Sequence, residues 1–411
     1  MMLFAVCTVY SSACSRPPVE KEKKKKPAAG KGIKAPAVDK DKMQRLEALG
    51  YFDRAPAENP EEKNVVKDKS TAFEGLNLYS PRRRAKAHLV DMNGRVLHTW
   101  SSDALGSSWM HTELQPDGSI IVIAKSSYIA KIDFNSNVLW KQKSGAHHDL
   151  AIGPDGNIHT LVHSIRRYIY QGSWIRLLDD AISTYSPDGK FLRKKQLYPV
   201  LRKLIPVSRL RQIKRRCAGE VSSKDIYTEN SIFDVFHTNS LQFLKNDIKG
   251  IAPARSLLLS VREINRIVIL SADLSKLLWE WGEGELEEQH HATLQDNGNI
   301  MVFDNGIIRK QSRVIEVSPH TGKIEWSYTE PGFYTELRGA AQKLTNDNVL
   351  ITESDRGHAF EVTRKGETLW EWWNPDVTGG EKPTRAVIYR MRRYPPDYLE
   401  KGLIETGAVS E

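Results

Sequence analysis

The sequence is poor in cysteine. Its 411 residues include only three cysteines, Cys7, Cys14 and Cys217, and none of them stands in a C-x-x-C pair. This usage excludes a disulfide framework and a zinc site built on paired cysteines. If the chain is processed at Cys14, Cys217 is the only thiol left in the folded part.

Motifs for nucleotide binding and serine activation are also absent. The sequence contains no G-x-x-x-x-G-K-[ST], no G-x-G-x-x-G and no G-x-S-x-G. A P-loop enzyme, a dinucleotide-binding enzyme and a serine hydrolase with a nucleophile elbow are therefore not expected.

The apolar run at the start of the chain is short. Residues 1–13 are apolar and rich in small side chains, but they are fewer than the roughly 20 residues that span a bilayer. The segment 1–14 is typical of a secretory signal, and SSAC is similar to a lipoprotein cleavage box ending at Cys14. We therefore expect an exported protein, either periplasmic or anchored to a membrane through a lipid on Cys14.

Residues 15–72 are predicted to form a disordered tether with a short helix near 42–52. Between 19 and 42 the chain is rich in Lys, Pro, Ala and Gly and has almost no large apolar side chains, so it cannot bury enough surface to fold. Part of the formal net charge of +9 lies here. Because no aromatic residues alternate with these lysines, nucleic-acid binding is not expected.

A repeated strand–turn–strand unit fills the remainder, residues 73–411. Six such hairpins have turns containing Asn, Asp, Gly or Ser. They end at or surround Trp100, Trp140, Gly189, Trp279, Trp326 and Trp370. A second hairpin lies between successive units, so each period of about 40–50 residues supplies four strands. The sequence predicts an all-β fold, a six-bladed β-propeller; the alternative is a seventh blade hidden in the insertions.

Two segments, 164–180 and 195–229, exceed this period and are predicted to be insertions of helical type. The second contains the basic, amphipathic stretch LRKLIPVSRLRQIKRR. Its charges are expected to lie in water, although a lid or a contact with a membrane surface also fits. Residues 73–81 are expected to pair with the last blade and so remove the sheet edge.

Histidines recur at one place in successive units. They stand at the start of the segment that precedes each second hairpin, at His111, His147, His148, His237, His290 and His291. The innermost strands of a propeller line its central channel, so we expect these side chains to converge there. His98, His159 and His163 are expected to be structural, and a structural role also fits His111.

Two kinds of site suit such a ring of imidazoles. One is a metal site for Zn, Cu or Fe, with Asp149 as the main carboxylate. The other is an anion site, in which imidazoles act with the guanidinium of Arg262 and the amide of Asn239. Since a guanidinium does not ligate metals, we favour the anion site and expect neither a metal nor a cofactor.

The segments DVFHTNSLQ, ARSLLLSVRE and QHHATLQDNGNIMVFDNG resemble the bacterial arylsulfotransferase family, as do LVDMNGRVLHTW and NVLITESDRGHAFEV. The resemblance extends from about Phe73 to Pro375. It implies a six-bladed, typically exported propeller that moves a sulfuryl group from a phenolic sulfate ester to a phenol. In the family this transfer needs no nucleotide sulfate donor and passes through a sulfated histidine.

The resemblance also implies residue roles. The nucleophile falls on His290, with His291 as the alternative, and the catalytic set is completed by His237, Asn239, Arg262 and His148. We assign substrate binding to His147, His111, Asp304, Asn305 and Arg356. The short disulfide loop of some members has no cysteines here, and the basic insertion 195–229 is not part of the family pattern.

The chemistry is coherent with these residue types. A neutral imidazole attacks sulfur and forms a covalent intermediate, while donors hold the sulfuryl oxygens and a neighbouring histidine moves the proton. The expected partners are an aryl sulfate donor and a phenolic acceptor. The alternatives are a non-catalytic propeller that binds a glycan or a protein, and a metal-dependent lactonase or oxidoreductase propeller.

Overall fold

The computed structural model describes residues 53–82, 84–106, 108–124, 127–217 and 233–404. The predicted signal segment, the basic part of the tether and the expected helix near 42–52 lie outside these residues. Where the description begins, part of the stretch predicted to be tether is folded: Arg54–Pro56 and Asn64–Asp68 are strands. Arg54–Pro56 pairs with Thr384–Ala386 and Asn64–Asp68 pairs with Thr368–Trp373, and these backbone hydrogen bonds explain why both segments are folded.

The fold is nearly all-β and propeller-like. Six antiparallel sheets, A to F, each have a core of four strands. From the inner to the outer strand, sheet A consists of Ile388–Tyr394, Leu76–Pro81, Lys86–Val90 and Val96–Ser101. Sheet B consists of His111–Leu114, Ile120–Ala124, Tyr128–Ile132 and Val138–Lys143. Sheet C consists of Ala146–Ile152, Ile158–Tyr170, Ser173–Tyr185 and Phe191–Gln196. In the same order, sheet D consists of Thr238–Phe243, Leu257–Val261, Arg266–Leu270 and Leu277–Trp281. Sheet E consists of His290–Leu294, Ile300–Asp304, Arg313–Val317 and Ile324–Tyr328. Sheet F consists of Ala340–Lys343, Val349–Glu353, His358–Val362 and Thr368–Trp373.

Short additional elements complete the sheets. Phe233–Asp234 pairs in parallel with sheet C, and Asn64–Asp68 is a fifth, outer strand of sheet F. Arg54–Pro56, Thr384–Ala386 and Val377–Thr378 form a small separate sheet. The helices are α1 (Tyr198–Leu201) and α2 (Val207–Cys217), and the 3-10 turns are Asp103–Leu105, Arg202–Leu204, Arg262–Ile264 and Ser354–Arg356.

Six apolar clusters hold the sheets together. Each contains alternate residues of two successive sheets, and one of them joins sheet F to sheet A through residues such as Trp372 and Tyr79. Because both faces of a sheet are covered, its middle strands are buried along their length, as in the apolar run Ile120–Ala124 and in Leu257–Val261, which is apolar except for Ser260. Burying these runs is the main source of stability.

The recurring tryptophans link neighbouring sheets. The indole N–H of Trp140, Trp279, Trp326 and Trp370 donates to a backbone carbonyl in the outer hairpin turn of the next sheet, at 2.8–3.1 Å. Trp370 reaches Met92, in sheet A. The repeat seen in the sequence is therefore a sheet-to-sheet contact, because a buried indole needs an acceptor and the next turn supplies it.

Two expectations about the ends and insertions need correction. The strand Leu76–Pro81 pairs with Ile388–Tyr394, at the other end of the chain, and not with the hairpin around Trp370. Segment 164–180 is not helical: it extends the hairpin Ile158–Tyr170/Ser173–Tyr185 without interruption, because its own residues pair fully across the two strands. Segment 195–229 is helical in its described part, α1 and α2.

No helix among the described residues is long and apolar enough to cross a membrane.

Candidate active site

Three histidines at one end of the channel have a left-handed backbone. The φ angle is 56° at His148, 45° at His237 and 49° at His291. They lie at the beginning of the inner strands of sheets C, D and E, where pairing with the second strand is irregular. Such conformations cost about 1–3 kcal/mol each outside glycine and cluster at functional sites. The repetition of this strain marks the end of the channel as the candidate site.

A chain of ring contacts connects His147, His148, His237 and Asp234. Nδ1 of His237 is 2.7 Å from Oδ2 of Asp234, and its Nε2 is 3.2 Å from Nε2 of His148. Nδ1 of His148 is in turn 2.7 Å from Nδ1 of His147. Burial acts to raise the pKa of Asp234, but the charge and hydrogen bond of His237 lower it to about 2. The ionised carboxylate orients the imidazole so that Nε2 of His237 faces His148.

His147, His163 and Asp180 form a second cluster next to these residues, in which His147 and Asp180 are buried. Oδ1 of Asp180 is 3.6 Å from Nε2 of His147 and 3.1 Å from Nε2 of His163, and the two rings stack at 3.5 Å between centroids. One ligand atom of each residue lies within 4.8 Å of the others, so these three groups could hold a metal ion. Oδ2 of Asp180 accepts the N–H of Thr238 at 2.6 Å and so supports the start of sheet D.

Asn305 fixes the tautomer of His290. The amide nitrogen of Asn305 donates to the carbonyls of Thr335 and Arg338, at 2.9 and 2.7 Å. Its oxygen must therefore face Nδ1 of His290, which is 2.8 Å away. The carbonyl of Glu288 is a second acceptor at 3.1 Å. Nδ1 of His290 consequently carries the proton, and Nε2 carries the lone pair.

The ring of His290 is also held neutral. The residue is 3% exposed, and burial together with the positive charge of Arg262 keeps its pKa well below the usual value. Its Nε2 makes no hydrogen bond to any of the described residues. A buried, neutral imidazole with an unengaged lone pair is equipped to act as a nucleophile.

His291 faces a different space. Its Nδ1 accepts the N–H of Ala341, in sheet F, at 3.2 Å, so the ring proton lies on Nε2. It lines the central cavity of about 820 Å³, whose lining also includes Arg390 and Arg392 but not His290. Burial and these two arginines lower the pKa of His291. The neighbour of the proposed nucleophile therefore has its Nδ1 lone pair engaged and its Nε2 protonated.

Arg262 is held between two carboxylates. Its guanidinium bonds Glu263 at 2.7 Å and also contacts Glu288, and the residue is 3% exposed. Glu263 additionally accepts a hydrogen bond from Arg209 of α2 at 2.9 Å. The basic insertion, whose charges were expected to lie in water, thus reaches the site through Arg209.

Asn239 supports the strand that bears His290. Its side-chain amide donates to the carbonyl of Gln289 at 2.8 Å, and the hydroxyl of Ser260 donates to the same carbonyl at 3.2 Å. Gln289 itself donates to the carbonyl of Arg266 at 2.7 Å. These contacts make Asn239 a residue that positions His290 from sheet D.

Comparison with known families agrees with this site. A family model described as Arylsulfotransferase (ASST) matches residues 93–375, more than half of the chain. The chain belongs to the arylsulfotransferase family. Membership implies aryl sulfate and phenol substrates.

Solved structures are similar to this chain at low sequence identity. A protein of unknown function from Bacteroides caccae is 12% identical with a TM-score of 0.51, over 78% of this chain and 98% of that one. A streptogramin B lyase is 12% identical with a TM-score of 0.45, over 83% and 97%. The Dos1 propeller is 11% identical with a TM-score of 0.40, over 79% and 78%. No curated protein matches the chain.

Of the residues assigned to substrate binding, His111 lies on the cavity side. Its Nδ1 is 3.5 Å from Asp149 and its Nε2 is 3.5 Å from Glu113, which both line the cavity. Asp149 is also 3.3 Å from Arg390. His111 therefore lies on the same side as His291, whereas His147 contacts His148 from the side of Asp180.

Asp304 and Arg356 have other contacts in the structure. Asp304 is fully buried and pairs with Arg309 at 2.7 Å and Arg313 at 2.9 Å. Arg356 lies 2.6 Å from Glu58, in the segment predicted to be tether. The carboxylate of Asp304 is thus engaged in holding its own sheet, and Arg356 contacts none of the catalytic residues predicted from the sequence. Asn305, also assigned to substrate binding, bonds Nδ1 of His290 in the structure.

Sequence reasoning missed Asp234 and Asp180. Asp234 stands three residues before His237, and a carboxylate at that spacing is a usable signal for a partner of the imidazole. Asp180 had no such signal, because its contact with His147 spans two strands. His163 was expected to be structural but stacks on His147, while His98 does have a structural setting, stacked on Phe134 at 3.8 Å.

Proposed function

We propose that the protein is an arylsulfotransferase that needs no nucleotide sulfate donor (PAPS-independent) and works by a ping-pong mechanism through a sulfohistidine on His290, carried on a six-bladed propeller. The observation that carries this proposal is the tautomer of His290. Asn305 fixes the ring proton on Nδ1, and Nε2 is left as a buried lone pair beside Arg262. His291 lacks that arrangement, which favours His290 as the nucleophile.

In the first half-reaction, Nε2 of His290 attacks the sulfur of the aryl sulfate. The N–S bond forms and the S–O bond to the aryl group breaks, so the phenoxide leaves with the bonding pair. His237 or His148, whose Nε2 atoms lie 3.2 Å apart, gives the phenoxide its proton. The Nδ1–H of the sulfated ring stays on the oxygen of Asn305.

The sulfuryl oxygens would be held by His148, His237 and Arg262. Charge on these oxygens is spread in a loose transition state, as in phosphoryl transfer. Each preorganised donor in such a site is worth about 3–4 kcal/mol of transition-state stabilisation. Arg262 would exchange its contact with Glu288, which is 33% exposed at its side chain, for a sulfuryl oxygen.

In the second half-reaction, a phenol attacks the sulfur of the intermediate. The histidine that gave up its proton takes the phenolic proton, the new S–O bond forms, and the N–S bond breaks to regenerate neutral His290. A non-catalytic propeller that binds a glycan or a protein would give no role to the fixed tautomer of His290. Export, and lipid attachment at Cys14, concern residues outside the described part and remain proposals.

The proposal is tested by the mass of the intact protein after incubation with excess 4-nitrophenyl sulfate. We expect a sulfuryl adduct on the wild type that is discharged by added phenol, and none on His290→Ala. His291→Ala is the matched control and should still form the adduct. An adduct on His290→Ala that is absent from His291→Ala would assign the nucleophile to His291. No adduct together with no nitrophenol release would contradict the sulfotransferase mechanism.

A further inference from the structure

A part of sheet C projects beyond the end of the channel at which the site lies. Ala146 at the start of the inner strand faces Val162, and the two long strands continue to pair beyond that point, up to Tyr170 and Ser173. Lys214 of α2 donates to the carbonyl of Gln171, in the turn of this hairpin, at 3.3 Å. The hairpin 164–178 and the helical segment 198–215 therefore form one projecting unit, the arm.

The outer face of the arm is apolar at its tip. Ile169 and Trp174 are cross-strand partners and are each 64% exposed, and Ile165, four residues before Ile169, is 54% exposed. Residues two and four apart on a strand share a face, so these side chains form one strip, in which Arg167 lies between Ile165 and Ile169. Apolar residues that are exposed singly need no explanation, but three on one face at the tip of a projecting hairpin mark an interaction surface.

Positive charge surrounds this strip. Arg167 and Arg176 are cross-strand partners and lie between Ile165 and Ile169 along the hairpin. The arm, segments 164–178 and 198–215, contains nine Lys and Arg and no Asp or Glu. Since the whole chain has a formal charge of +9, all other residues together amount to zero. The arm is thus a strongly positive part of the protein.

We propose that the arm docks onto the surface of a membrane that contains anionic lipids. Trp174, Ile169 and Ile165 would enter the boundary between headgroups and acyl chains, where tryptophan is favoured because one end of its ring is apolar and the other is polar. The surrounding Lys and Arg side chains would lie at the level of the lipid phosphates, and clustered basic residues bind anionic leaflets strongly.

Lipid fits the arm better than nucleic acid does. Branched aliphatic side chains gain from contact with acyl chains but have no flat face on which a base could stack. The pairing of an exposed aliphatic strip with a basic surround is the pattern of a protein that lies on a membrane. Docking is a property separate from sulfuryl transfer. Because Arg209 of α2 bonds Glu263, the partner of Arg262, a docked arm would keep these residues near the lipid surface.

The experiment is cosedimentation of the full chain with vesicles. Every sample carries Cys14→Ser, so that no lipid anchor contributes. We expect binding to vesicles of phosphatidylcholine with phosphatidylglycerol, little binding to phosphatidylcholine alone, and weakening by salt. The double variant Ile169→Ser/Trp174→Ser should bind about tenfold more weakly, and Arg211→Glu/Arg215→Glu should lose the preference for anionic vesicles.

Matched controls separate the arm from the rest of the surface. Leu139→Ser replaces a side chain that is 54% exposed on the outer strand of sheet B, and Lys365→Glu reverses an exposed charge in sheet F. Both should bind as the parent does, and the lysines of the tether are the same in all samples. Equal losses in control and arm variants, or unchanged binding of the arm variants, would overturn the proposal.

Two further readouts identify the source of binding. Trp174→Phe keeps an aromatic ring at the tip, so it should still bind but should lose the blue shift of tryptophan emission on adding anionic vesicles. A persistent blue shift would place the contact at another tryptophan and contradict the assignment. Arm variants that lose binding to single-stranded DNA while binding vesicles normally would make the surface a polyanion site rather than a membrane site.

Discussion

Sheets E and F each bury a histidine, with opposite electrostatic results. His290 in sheet E bonds the neutral amide of Asn305 and lies in the field of Arg262, and its pKa is well below the usual value. In sheet F, burial acts to lower the pKa of His358, but hydrogen bonds to Glu353 at 3.0 Å and Glu371 at 3.1 Å raise it.

The difference shows that burial alone does not make a nucleophile. Both rings are nearly inaccessible, and both carry a proton on Nδ1. The charge of the hydrogen-bond acceptor decides the rest: a neutral amide leaves His290 neutral, whereas two carboxylates favour the imidazolium form of His358. His358, in the third strand of sheet F, thus connects Glu353 of the second strand with Glu371 of the fourth.

The same contrast applies to two arginines. Arg262 of sheet D and Arg356 of sheet F each lie in a 3-10 turn that follows the second strand and is capped by a left-handed residue. Arg262 is buried between Glu263 and Glu288, beside His290, whereas Arg356 lies on the surface against Glu58. The same kind of turn thus places an arginine beside His290 in sheet D and an arginine against Glu58 in sheet F.

Replacing Arg262 by glutamine gives the largest expected loss of activity, and the same replacement of Arg356 is its comparison. We expect Arg262→Gln to lower kcat by about 10²–10³-fold, because a preorganised cation beside the sulfuryl group is lost. Arg356→Gln should stay within about twofold, as expected for a partly exposed ion pair. Steady-state kinetics with 4-nitrophenyl sulfate and a phenol measure both. Equal losses in the two variants would remove the distinction between sheets D and F.

A carboxylate facing His290, as Glu353 faces His358 in sheet F, should make the formation of the sulfuryl adduct depend on pH. In Asn305→Asp a carboxylate faces Nδ1 of His290 and raises its pKa, so the nucleophile becomes protonated as the pH falls. We expect a loss of about tenfold or more at pH 6 that is partly regained by pH 8, while the wild type keeps its adduct formation over this range. Asn93→Asp, in an exposed turn of sheet A, is the control. A pH profile unchanged by Asn305→Asp would argue against His290.

Sheet F has no room for a histidine at the corresponding strand start. Gly339 has φ of 140°, and a Cβ there would lie 2.3 Å from the ring of Phe303 in sheet E. We expect Gly339→Ala to lower the free energy of unfolding by about 2–3 kcal/mol, from strain and overlap together. Gly332→Ala, with φ of 81° and open space around it, should cost only about 1 kcal/mol. Urea denaturation measures both, and equal costs would show that Phe303 yields easily.

The smallest effects are opposite slopes of stability against pH. The raised pKa of His358 makes a contribution that is fully present below the unfolded pKa and is lost as the pH rises through the folded value. For His290, whose folded pKa is lowered, the unfolded chain binds more protons, so stability rises with pH up to the unfolded pKa. Relative to His358→Gln the wild type should thus lose stability from pH 5.5 to 8.5, and relative to His290→Gln it should gain. Slopes of the same sign would contradict the contrast.

The repeated hairpins were predictable from the sequence because their signal is local. Turn residues and alternating strands lie within about 15 residues, and the tryptophans that end the units bond the next turn in four sheets. The start of sheet A was harder, since Leu76–Pro81 finds its partner at Ile388–Tyr394. The long hairpin at 164–180 was misread because its strands exceed the period of the other sheets.

The candidate site was predictable in membership but not in roles. His237, Asn239, Arg262 and His290 could be named because they sit in recognisable segments. Whether Asn239 binds substrate or supports Gln289 depends on where sheet D meets sheet E, and no local pattern contains that distance. The same is true of the contact by which Asn305 fixes the ring of His290.

By itself the sequence determined the strand pattern, the family and the set of imidazoles at the starts of the inner strands, because hydrophobic periodicity and turn chemistry act between near neighbours. Only the tertiary structure decided that His290 and not His291 carries the unengaged lone pair, and that the arm stands beside the site. These properties arise from hydrogen bonds and charges on different sheets, and such groups meet only after the chain has folded.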